Sequence, residues 1–300
     1  MRASTKSRMS AVALGVAGAS VGLLPWWITG ARLPLQNLWG TDSLDMPFAL
    51  VPFSQYYVHA VAAMFIVGGG LAGLIAAFAP AIRARRWWVV LGGSAVQLIA
   101  VLQSSVVTLL GLRGDTESQL YFGVILLMLV LSLLAAFATC ALCSVASGAE
   151  LARTGWASPA WLIGVAMFAI FLGVWLMQWP MVLAPNGDHY AFGIVVSWLS
   201  PILVGLAIVA VGVHTIGRIA AAIAALLLLW IVPAALTATG AVLGSRVMLN
   251  DWRSAPEYAL MVFREALFMV DFSLRAVIIA AVVAVIGLAL RYVLRGRAGR

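Results

Sequence analysis

Charged residues stand in clusters along the chain, and the apolar intervals between clusters read as elements. Seven intervals run for more than 20 residues without a charge: Arg8 to Arg32, Asp45 to Arg83, Arg86 to Arg113, Glu117 to Glu150, Arg153 to Asp188, Asp188 to Arg218, and Arg218 to Arg246. A helix needs roughly 20 residues to cross a hydrocarbon core about 30 Å thick. An eighth interval, Arg275 to Arg291, holds only 15. The runs lack the ten-residue alternation of a barrel, and open strands leave backbone groups unsatisfied in lipid. The pattern predicts an all-α fold, a polytopic membrane helix bundle of eight transmembrane helices at 10–29, 56–79, 87–111, 120–145, 159–183, 191–213, 219–242 and 268–294.

Composition agrees. At 64% hydrophobic and 9% charged over 300 residues, the chain has too little polar surface for water, where about a quarter of residues are charged. The lipid bilayer is its first partner. With the N-terminus cytoplasmic, the inner face receives Arg2, Lys6, Arg8, Arg83, Arg85, Arg86, Arg153, Arg218, Arg291, Arg295, Arg297 and Arg300, and the outer face Arg32, Arg113, Arg246, Arg253 and Arg264. That bias gives an N-in, C-in topology. The net charge of +8 therefore reports topology, and no nucleic-acid partner is expected. The first apolar run continues through "VGLLPWWITG" without a polar cleavage region, so it reads as an uncleaved anchor. One lysine against seventeen arginines suggests a GC-rich coding sequence, and a bacterial plasma membrane is the expected location.

A parallel four-plus-four repeat is suggested by spacing. Tyr57 precedes Arg86 by 29 residues and Tyr190 precedes Arg218 by 28; Arg86 to Arg113 is 27 and Arg218 to Arg246 is 28. The expected units are 1–150, with a long first external loop (30–55), and 151–300, with an extended external segment (243–267).

That segment leads into the short eighth span. Ser254, Pro256 and Glu257 read as a helix start with a capping box. An unbroken helix from there to Leu294 would be about 60 Å long, twice the membrane's need, so its first third must project or bend. On one helix, Glu257, Arg264, Asp271 and Arg275 fall within about 40° of one another, a polar stripe of alternating sign. Asp271 and Arg275 have the favourable i, i+4 order for an ion pair. Charges facing the inside of a membrane bundle mark ligand paths or subunit contacts.

Chemistry is sparse. The chain has no phosphate loop, no HExxH and no paired-cysteine metal spacing. Cys140 and Cys143 read as packing residues, and no cofactor or metal is expected. Gln97, Gln103, Ser104, Ser105 and Thr108 read as interhelical hydrogen-bonding groups. On the outer face, Asp42 and Asp45 of loop one and His59 of the second helix are the candidate reactive residues.

Three functions fit. The leading expectation is a noncatalytic subunit or accessory of a cell-envelope complex, docking a membrane or extracytoplasmic protein partner. Its support is loop one, whose Leu33, Leu35, Leu38, Trp39, Met46 and Phe48 call for a covering surface. The alternative is a small transporter for an apolar or lipid substrate, with a cavity between the third and seventh helices that Asp271 or Arg275 approaches. The third is an outward-facing transferase or hydrolase, which requires Asp42 or Asp45 to meet His59, Arg264 or Glu265 in one pocket.

Overall fold

A backbone in hydrocarbon must satisfy its own polar groups, and the uncharged intervals do so by winding into helix. The computed structural model describes residues 2–34, 39–145, 157–245, 251 and 253–298. Its main helices are α1 (Arg2–Ile28), α2 (Val58–Phe78), α3 (Arg86–Gly111), α4 (Thr116–Cys143), α5 (Pro159–Leu176, continued by Gln178–Leu183), α6 (Tyr190–Val211), α7 (Ile216–Leu243), α8 (Ala255–Phe268) and α9 (Arg275–Ala298). All but α8 are long and apolar enough to cross a membrane, which makes eight spans among the described residues. Among the described residues there is no strand, only the isolated bridges Arg32 to Phe48 and Trp39 to Leu112.

The helix α2 is the hub. Of its most apolar window 78% is buried against protein, whereas α9 buries only 11% of its own. Missing side chains let backbones meet at the seams: a Cβ on Gly68 of α2 would lie 2.7 Å from the Gly18 carbonyl of α1. The first four spans pair as α1 with α2, α1 with α3, α2 with α3, α2 with α4, and α3 with α4. The last four pair in the same sense: α5 with α6, α5 with α7, α6 with α7, α6 with α9, and α7 with α9. Between the two sets, α5 packs on α2 and α4.

The first external loop sinks into the bundle. The Trp26 and Trp27 indoles donate to the carbonyls of Ala49 (2.8 Å) and Leu50 (3.0 Å). From α3, Gln103 Oε1 accepts the Leu50 N–H and Ser104 Oγ accepts that of Val51, both at 2.9 Å. Gln103 stands eight residues before Gly111, about 12 Å below the outer end of α3. Non-helical backbone is tolerated at that depth because protein groups satisfy it. Of the apolar loop residues, Leu33, Trp39 and Met46 are buried against their own bundle, Phe48 is exposed, and Leu35 and Leu38 lie outside the described residues. Trp39 also donates to the Thr108 carbonyl at 3.1 Å.

At the face that carries the termini, arginines close the end of α6. Its last carbonyls have no helical partner. Arg291 donates to Val209 O at 2.5 Å, and the buried Arg218 guanidinium donates to Val211 O. Gly212, at φ 74°, ends the helix in a conformation that suits glycine.

The long helix considered for 254–294 is broken. α8 ends at Phe268, Met269 is extended (φ −67°, ψ 113°), and Val270–Leu274 form one π-turn before α9 begins. Trp230 of α7 donates to Leu267 O at 2.8 Å, and Ser273 Oγ to Ala266 O at 2.7 Å, so the freed carbonyls are met from outside the helix. Trp230 lies 14 residues above Ile216, which sets the break about 21 Å above the inner end of α7. That is inside a core of about 30 Å.

Candidate functional site

The break and the short connection between α5 and α6 leave a gap in the outer half of the last four spans. There α5, α6, α7 and the first residues of α9 line a cavity of about 460 Å³. Its walls are mostly apolar: Ile170, Val174 and Met177 from α5, Val196 from α6, Leu229 and Leu236 from α7. Two helix-interior prolines line it, Pro201 and Pro233. Each lacks the N–H that would bond the carbonyl four residues earlier. Those carbonyls belong to Ser197 and Leu229, both at the cavity.

Arg275 is the cation of this cavity. Its Nη2 donates to Ser197 Oγ at 3.2 Å, while that hydroxyl donates to Ile194 O at 2.7 Å. Ser197 lies seven residues inside the outer end of α6, about 10 Å of helix. Among the described residues no carboxylate lines the cavity. Among the described residues no ion pair joins Arg275 to Asp271; the π-turn at Val270–Leu274 replaces the regular turn that an i, i+4 contact needs. Arg275 and Ser197 are both exposed on the bundle, so the guanidinium is open on the side away from the serine.

His59 closes the opposite wall. It is half-buried at the outer end of α2, with Nε2 3.0 Å from Thr239 Oγ1 of α7. That hydroxyl also lies 2.9 and 3.0 Å from Ala235 O and Leu236 O. The direction of its contact with His59 Nε2 is set by the imidazole tautomer. The Nδ1 of His59 faces Gly240, where a Cβ would lie 3.4 Å away.

The other sequence candidates are dispersed. Glu257, Arg264, Glu265 and Asp271 are exposed on α8 and the π-turn, and of the stripe only Arg275 lines the cavity. Asp42 and Asp45 are exposed on loop one and line neither cavity that His59 lines. The third helix takes no part in the larger cavity. Gln97 bonds Phe65 O across helices at 2.9 Å, whereas Gln103 and Ser104 serve the loop, Thr108 bonds its own Ser104 O, and Ser105 Oγ is buried without a partner. Among the described residues no group of three His, Cys, Asp or Glu is placed to hold a metal.

Sequence reasoning missed Ser197, Ser200, Pro201, Pro233 and Gly240. The signal was present in "SWLSPILVGL" and "IVPAALTATG", where proline stands beside hydroxyl residues on two neighbouring helices. No protein-family model matches the chain, and no curated protein or solved structure matches it either.

Proposed function

We propose that the protein binds an anionic amphiphile in the cavity of α5, α6, α7 and α9, and serves as a small lipid carrier or permease in a bacterial plasma membrane. The carrying observation is Arg275: a cation without a carboxylate partner among the described residues, held below the outer helix ends on the wall of a mostly apolar cavity. Its size falls in the usual range for small-molecule sites, about 300–1,000 Å³. Apolar walls suit hydrocarbon, and the guanidinium suits phosphate or carboxylate.

A four-plus-four repeat strengthens this reading. The two sets of helices share their five pairings. Ser104 and Thr237 stand 133 residues apart, as do Tyr57 and Tyr190. Around Ser104 the space is filled by loop-one backbone, while Thr237 lines the cavity, because the connection after α5 is short. On this view the first unit carries its own occupant and the second awaits one.

The test is binding by the purified full-length protein, read by native mass spectrometry with phosphatidylglycerol against phosphatidylethanolamine. The anionic lipid is expected to bind preferentially, and Arg275→Gln to weaken it about tenfold or more, the scale of losing one charged hydrogen bond. Equal binding of both lipids, or an indifferent Arg275→Gln protein, would refute the reading. Docking of an envelope partner keeps one observation in its favour, the exposed Leu44 and Phe48 of loop one. Protein that stays alone under gentle crosslinking at Leu44 would count against it.

A further inference from the structure

A second cavity, about 270 Å³, adjoins the first where the two sets of helices meet. It lies among Ala62 and Ile66 of α2, Met128 and Ala135 of α4, Phe171 of α5 and Ala235 of α7. His59 and Leu236 line both cavities and form the partition. The hydroxyls of the second cavity bond their own helices: Ser132 Oγ donates to Met128 O at 2.8 Å, and Thr239 to the turn before it. Among the described residues no aspartate, glutamate, lysine or arginine lines it. Nothing there selects a polar group, and everything there accommodates hydrocarbon.

We infer that the two cavities form one forked site for an anionic phospholipid with two acyl chains. This rests on the reading of Arg275 given above. The headgroup phosphate meets Arg275; one chain descends between α5, α6 and α7 toward Ile170 and Leu229. The other crosses the His59 and Leu236 partition into the seam between α4 and α7. A single-chain amphiphile leaves the second cavity empty, and a free phosphate leaves both sets of apolar walls uncovered. A neutral two-chain lipid leaves the guanidinium without a counter-charge.

The test uses the full-length protein in phosphatidylcholine nanodiscs. One probe is phosphatidic acid with a photoactivatable diazirine in one acyl chain, and the other is lysophosphatidic acid with the same chain. Labelled peptides are mapped by mass spectrometry, with excess unlabelled phosphatidic acid as competitor. The two-chain probe is expected to label both the α5 and α6 walls and Met128 to Ala135 of α4, and the single-chain probe the α5 and α6 walls alone. Filling the second cavity with Ala235→Phe, or with Ala135→Leu from the opposite wall, is expected to cut competable α4 labelling about tenfold while first-cavity labelling persists. The forked site is overturned if α4 labelling survives in whichever of these variants remains monodisperse, or if the single-chain probe labels α4 equally. In either case the Arg275 reading stands, provided Arg275→Gln still removes first-cavity labelling. If Arg275→Gln leaves all labelling intact, both fall together.

Discussion

Replacing Ser104 by alanine tests whether loop one is held in the membrane by side-chain acceptors. In the native protein the Val51 N–H is 2.9 Å from Ser104 Oγ, and both residues are fully buried. Ser104 stands seven residues before the end of α3, about 10 Å below it, where water does not replace a lost acceptor. Orphaning one buried N–H costs about 1–3 kcal/mol. Local opening of the loop should therefore rise by roughly fivefold to 150-fold. Hydrogen exchange of residues 49–53, followed by mass spectrometry in detergent, reads that change directly. The neighbouring Ser105 supplies the control. Its hydroxyl is buried without a partner, so Ser105→Ala removes an unsatisfied group and is expected to be neutral or mildly stabilising. Unchanged exchange in Ser104→Ala, or an equal cost for both substitutions, would refute the reasoning.

Gly68→Val places a branched side chain against the Gly18 carbonyl, 2.7 Å from where a Cβ would stand. It should destabilise the seam of α1 and α2 by about 3 kcal/mol, seen as loss of monodisperse protein on size exclusion. Arg218→Ala leaves the Val211 carbonyl of α6 without its guanidinium donor. The unfolding midpoint should fall by an amount equivalent to about 1–3 kcal/mol, and Arg218→Lys should restore part of it. Asp251 receives the Ser254 hydroxyl at 2.7 Å and its N–H at 3.3 Å, and these bonds hold the carboxyl below its ordinary range. Its folded pKa is depressed, so its hold on the start of α8 is complete above the unfolded value of about 3.8 and lost as pH falls through the lower folded value. Exchange of the Ser254 amide should quicken in that acid window, and Asp251→Asn should abolish the pH dependence.

The spans were legible because each is set by one strong local rule, that hydrocarbon excludes charge. Seven of the eight lie within five residues of expectation at either end. The eighth begins at Arg275 instead of 268, because Trp230 and Ser273 accommodate a break that no local pattern announces. Near Ser254 the capping expectation changed hands: the Ser254 side chain makes no cap bond and donates to Asp251 instead. Site residues were legible in proportion to their charge. Arg275 and His59 stood out; Ser197, Pro201 and Gly240 did not, since serine, proline and glycine are common packing residues in membrane helices. Trp39 and Met46 looked like a docking surface because sequence alone does not reveal that a loop folds back on its own bundle.

The seat of loop one has a consequence for biosynthesis. A ribosome delivers α1, the loop and α2 before it delivers α3, yet the acceptors for Leu50 and Val51 are side chains of α3. Until that third span enters the bilayer, the stretch from Phe48 to Phe53 has to wait in water, since lipid offers its amides nothing. Insertion of the first three spans is thus ordered in time. A nascent chain arrested after α2 should leave this stretch open to protease, and release past residue 104 should close it.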